Sequence, residues 1–86
     1  MNHEEFLKTL EENKVLKDYD ETIKQKFPVI KYYLKNYGPV AQTPQGIIDF
    51  KLCTIHDIAN KNDWIAMNKA FAMLVELYKQ GVFKKQ

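Results

Sequence analysis

The sequence has no arginine: all thirteen of its basic residues are lysine. Lysine is a hydrated point charge without the planar fork that pairs with guanine or grips phosphate at two points, so arginine-based base reading is unsupported. There is one cysteine, Cys53, which excludes an intrachain disulfide and a cysteine-rich zinc site, and His3 and His56 stand far apart. A reducing, cytoplasmic setting is the expectation, with Cys53 a small half-buried strand residue. No basic-then-apolar leader opens the chain, whose start MNHEEFLKTLEEN is acidic and amphipathic. No apolar run approaches the roughly twenty residues of a membrane-spanning helix. Glycine is scarce, and no glycine-rich phosphate loop, nucleophile elbow or HExxH pattern is found. Glu4-Glu5 and Glu11-Glu12 are paired carboxylates with lysines nearby, which reads as a solvated helix face. The expectation is therefore a protein that is not an enzyme, with no catalytic residue, metal or cofactor.

What the chain does contain is enough apolar material for one small core. Its 86 residues are 45% hydrophobic and 13% aromatic, with a net charge of only +2, so a folded single domain is expected rather than disorder. A domain of this size buries a modest share of its surface, and a homodimer would add buried area. The charge is uneven. Residues 1–27 hold seven acids and five lysines, whereas residues 28–86 hold eight lysines and four acids, which places the basic surface in the later two thirds.

The periodicity predicts a first helix from residue 3 to about 14, with Phe6, Leu7 and Leu10 as its apolar stripe. Asp18 or Asp20 can cap a second helix, whose stripe Ile23, Phe27, Ile30, Leu34, Tyr37 is spaced by four, three, four and three. Pro28 lies inside it and predicts a kink or restart, and Gly38-Pro39 predicts its end. Residues 38–46, GPVAQTPQG, read as an exposed loop, and 47–53, IIDFKLC, alternate like a short strand with Ile48, Phe50 and Leu52 on one side. Thr54 with Asp57 three residues later resembles a capping box opening a short helix that ends near Asn60. Asn62 or Asp63 then caps a last helix over roughly 63–80. Gly81 terminates it, and Val82-Phe83 begin a strand or fold back as a hydrophobic cap. Tyr32, Tyr33 and Tyr37 are too close along one helix to face a single core, so at least one is exposed or at an interface.

The block TIHDIANKNDWIAMNKAFAMLVELYKQGVF, residues 54–83, resembles the helix-turn-helix of winged-helix proteins. The Ile58-Ala59 pair matches the close-packing end of the family's first helix. Leu77, three variable residues, Gly81 and Val82-Phe83 match the close of its second. The turn Lys61-Asn62-Asp63-Trp64 lacks the usual glycine, and the wing hairpin is truncated at Gln86. The resemblance implies a mainly α fold with a short strand pair: a winged-helix-like three-helix core over 20–86, preceded by a helical arm over 1–16. It also implies that helix 63–80 is a recognition helix, with Ala66 or Met67, Asn68, Lys69 and Phe71 or Ala72 on its exposed N-terminal face. Asn68 would pair with adenine and Lys69 would reach guanine or phosphate in a DNA major groove. Thr54, His56, Lys61, Lys79, Lys84 and Lys85 would lie along the backbone.

Plainer readings exist for several of these: Lys84-Lys85 as a solubilising tail, His56 as an ordinary surface residue, Trp64 as a staple over the turn. Two functions follow. One is a small DNA-binding transcriptional or replication regulator of the kind encoded by phages or mobile elements. The other is a protein-interaction module on the same scaffold, an inhibitor or adaptor of a nucleic-acid enzyme, anchored by Trp64, Phe71, Tyr32 and Tyr33.

Overall fold

The computed structural model describes residues 1–49 and 63–83. They form helix α1 (His3–Glu12), helix α2 (Tyr19–Tyr37), a hairpin of β1 (Val40–Thr43) and β2 (Gly46–Asp49), and helix α3 (Trp64–Lys79). The fold is thus mainly helical with a two-stranded antiparallel sheet. Among the described residues no helix is long and apolar enough to cross a membrane.

Local chemistry sets each helix boundary. Asn2 caps α1 by accepting from the Glu5 amide at 2.8 Å, and Asn13 closes it in the left-handed region at φ 41. Asp18 caps α2 through the Glu21 amide at 3.0 Å, as its carboxylate chemistry predicts. Asp63 caps α3, taking the amides of Ile65 and Ala66 at 3.0 Å each. Gly81, at φ 79, ends α3. The Val82 amide bonds to the Leu77 carbonyl and the Gly81 amide to that of Tyr78, the paired closure that glycine at this position permits. Residues 82 and 83 consequently fold back as a cap rather than a strand, and Phe83 is buried.

Those turns assemble one core. Phe6 and Leu10 of α1, Val29, Ile30 and Tyr33 of α2, and Met67, Ala70, Phe71, Leu74, Val75 and Leu77 of α3 are all buried together with Phe83. The N-terminal helix is therefore a wall of the core, not a loosely attached arm. Phe6 is the hub of an aromatic cluster, its ring centroid 4.9 Å from Tyr32 and 5.2 Å from Phe83.

Three expectations need correction. Helix α2 runs through Pro28 as one element, so of the kink or restart expected there the restart does not occur. Its buried face is Thr22, Lys26, Val29, Ile30 and Tyr33, about one residue round from the apolar stripe; Ile23, Phe27 and Leu34 flank the core and Tyr37 is exposed. The stripe was displaced because the innermost turn carries a threonine and a lysine, which an apolar pattern passes over. The third correction concerns residues 38–46, of which Val40–Thr43 pair with Gly46–Asp49 rather than forming a loop. Pro44 and Gln45 make the two-residue turn. The Thr43 hydroxyl accepts from the Gln45 amide at 3.2 Å and donates to the Gly46 carbonyl at 2.9 Å. Ala41 faces Ile48 across the ladder, and both pack toward the helices. The second half of the expected strand, 50–53, lies outside the described residues.

Candidate nucleic-acid interface

Helix α3 presents Ile65, Lys69, Ala72, Glu76 and Lys79 to solvent. Lys69 and Lys79 are exposed as expected, but they share this face with a carboxylate and two apolar residues. Of the rest of the expected recognition face, Ala72 is exposed, Ala66 and Asn68 are half-buried, and Met67 and Phe71 turn inward. Met67 is 0% and Phe71 1% exposed, so neither reaches a ligand, and Phe71 is not a surface anchor. Asn68 is half-buried, and its Oδ1 accepts a hydrogen bond from Lys26 Nζ at 2.6 Å. An adenine contact needs that same oxygen together with the amide nitrogen. Thr54, His56, Lys61, Lys84 and Lys85 lie outside the described residues, as does the Ile58-Ala59 contact.

Lys26 was not singled out by its sequence position. Its side chain is 5% exposed, and the ammonium stands 4.8 Å from the centre of the Phe71 ring. Desolvation holds its pKa below the usual lysine value. The contact with Asn68 and Phe71 ties the first half of α2 to the first half of α3. Lys26 is thus spent inside the fold and adds nothing to the outer surface.

The interface residues expected on α2 divide in the same way. Tyr33 is 1% exposed and its phenol is pushed up to about 12 by burial, so it is interior and not a partner anchor. Tyr37 is exposed, and burial of its ring together with the neighbouring Tyr32 charge raises its pKa. Tyr32 is half-buried. Trp64 is half-buried too, edge-on to Tyr19 with centroids 6.5 Å apart, which makes it a cover for the α2–α3 end.

Among the described residues the denser basic surface lies on the outer face of α2, a face that also carries the exposed Asp20 one turn before Lys24. Lys24, Lys31 and Lys35 are all exposed. At 100° per residue they fall within about 40° of one another around the helix, and at 1.5 Å per residue they sit about 10 Å and 6 Å apart along it. None of the three is held in an ion pair among the described residues. Lys31 and Lys35 border a groove of about 450 Å³ whose other walls are Met1, Pro28, Tyr32 and Asn36. Among the described residues no carboxylate lines it. The Asn36 amide nitrogen donates to the Tyr32 carbonyl at 2.9 Å, which fixes that side chain against the helix. Sequence reasoning counted these lysines only in a regional charge total; their spacing of seven and four was the signal that would have put them on one face.

A second, smaller groove of about 320 Å³ lies between α1 and α3, lined by Leu10, Glu11, Asn13, Val75, Tyr78 and Lys79. Among the described residues one carboxylate and one ammonium share it, so their charges offset. Among the described residues no group of three histidine, cysteine, aspartate or glutamate side chains is placed to hold a metal ion. Compared with known proteins, the chain matches no family model, and no curated protein and no solved structure is significantly similar to it.

Proposed function

We propose that this is a small nucleic-acid-binding regulator that grips the phosphate backbone with the outer face of α2. The winged-helix resemblance supports a nucleic-acid role, but the contact surface moves from α3 to α2. The observation that carries the reading is the row of Lys24, Lys31 and Lys35, free of paired carboxylates and bordering a groove. Three ammonium groups on one helix neutralise up to three phosphates. The affinity should then fall with salt with a log–log slope of about −2 to −3. Helix α3 offers only Lys69 and Lys79 on a face that also exposes Glu76.

Retention on a labelled DNA fragment at two salt concentrations tests this. The pair Lys31→Glu and Lys35→Glu is expected to weaken binding at least tenfold and flatten the salt slope, because both side chains are exposed and their loss leaves the core intact. Equal retention by wild type and variant removes the proposal. Lys69→Glu serves as the control for α3. It is a cleaner probe than any change at Asn68, which would also release the buried Lys26.

A second reading, a protein-interaction module, is favoured by one patch. Tyr19 is 48% and Ile65 68% exposed beside the half-buried Trp64, at the shared end of α2 and α3. Exposed aromatic and aliphatic groups of this kind act as anchors for partners. On this reading, Ile65→Asp abolishes capture of a protein partner and leaves DNA retention untouched. Loss of DNA retention in that variant would count against it.

A further inference from the structure

Resting on the nucleic-acid reading, we infer that the groove beside Lys31 and Lys35 takes a single strand, with one base stacked on the ring of Tyr32. The lysine row alone does not distinguish a duplex from a single strand, since both present phosphates. The groove between the lysines and the chain start does. Its walls combine two cations with an aromatic ring and the apolar Pro28 and Met1. A duplex keeps its base faces inside the stack and offers nothing to an aromatic wall. A single strand offers them freely, and basic grooves interleaved with aromatic rings are the usual means of holding one.

The geometry of Tyr32 suits that task. Phe6 packs against it at 4.9 Å between centroids, with the rings inclined by 35°, and His3 lies 6.5 Å away. Phe6 is itself completely buried, so Tyr32 is braced from within the core, and Tyr32, half-buried, also lines the groove. A braced ring loses little freedom when a base lands on it, which is what makes aromatic platforms effective. A volume of about 450 Å³ lies in the range that encloses one small ligand. That is the size of a nucleotide unit. Lys31 and Lys35 on its border, about one helical turn apart, can each meet a phosphate flanking the stacked base. Asn36, on the same border, supplies a polar group beside the base edge. Among the described residues no carboxylate lines the groove to repel the strand.

The test uses the full chain and three probes at one salt concentration: an oligothymidine strand, a mixed-sequence duplex of equal length, and thymidine monophosphate as competitor. Fluorescence anisotropy is expected to show the strand bound at least tenfold more tightly than the duplex, with the mononucleotide competing only weakly. Tyr32→Leu should lower strand affinity about tenfold and leave duplex affinity unchanged, while Tyr32→Trp retains strand binding. Circular dichroism of each variant checks that the helices persist. As a measurement independent of folding, a strand carrying 5-iododeoxyuridine should photocross-link the wild-type chain at Tyr32. Duplex binding equal to strand binding, or cross-links that fall elsewhere, overturns the inference while leaving the backbone-gripping function in place. A mononucleotide that competes as well as the strand overturns it in favour of a free-nucleotide site. No retention of either polymer removes both the inference and the function beneath it.

Discussion

Phe6→Ala is expected to cost about 3–5 kcal/mol, the range for emptying a fully buried phenylalanine site. Phe6 is 0% exposed and touches three rings on two separate parts of the chain: it packs on Tyr32 at 4.9 Å and Tyr37 at 6.1 Å, both of α2, and on Phe83 at 5.2 Å. Removing it takes away the contact that joins α1 to both α2 and the turn after α3. Little collapse can fill the gap, because its neighbours are themselves large rings held on two different elements. Domains of this size have a total stability on the order of 5–15 kcal/mol, so the loss is a large fraction of the whole. A fall in melting temperature on the order of 15 °C or more should follow. Thermal denaturation followed by circular dichroism reads it directly. A variant within 1 kcal/mol of wild type would mean that α1 is a dispensable arm after all, contrary to the burial of Phe6 and Leu10.

The helix ends were the most legible part of the fold. Asp18, Asp63 and Gly81 act through short-range backbone chemistry; Gly81 stands where the stop was expected, and Asp18 and Asp63 are each one of the two capping residues expected. The narrow stripe of α1 was equally readable, because Phe6 and Leu10 have no polar competitor on their face. Helix α2 was harder. Its innermost turn is built on Thr22 and Lys26, and the long aliphatic stem of a lysine can lie in a core while its ammonium finds a polar partner. The partner is Asn68, forty-two positions further along, and no local pattern predicts such a pairing. The first hairpin strand was hidden for a different reason. VAQT is short and mixed, and the prolines and glycines around it carry a turn signal that outweighs four residues of alternation. The candidate site was legible in its ingredients and not in its geometry. The lysine spacing is written in the chain, but the groove also takes Met1, twenty-seven positions before Pro28, as one of its walls.

Lys26→Met is expected to stabilise the protein by about 1 kcal/mol at neutral pH, although it deletes a hydrogen bond and a cation–π contact. The wild-type ammonium is buried with a neutral amide and an aromatic ring as its contacts, and an uncharged chain of similar length removes the desolvation cost. Asn68→Ala should act in the opposite direction, costing about 1–3 kcal/mol by stranding the buried charge. In the Lys26→Met background the same Asn68→Ala change should cost little, and a double-mutant cycle in urea measures that difference. The pH dependence gives the sign independently. The folded pKa of Lys26 lies below its unfolded value of 10.5, so between the two the unfolded chain binds more protons and stability rises with pH. The penalty is fully present below the folded pKa and is gone above 10.5. The advantage of Lys26→Met should therefore be constant near neutrality and shrink as the pH climbs toward 10.5. Comparing the two proteins at each pH cancels the opposing effect of Tyr33 and Tyr37, whose raised pKa values weaken the fold above pH 10 in both. An advantage that grew with pH would show that the ammonium is held by a favourable charge rather than tolerated.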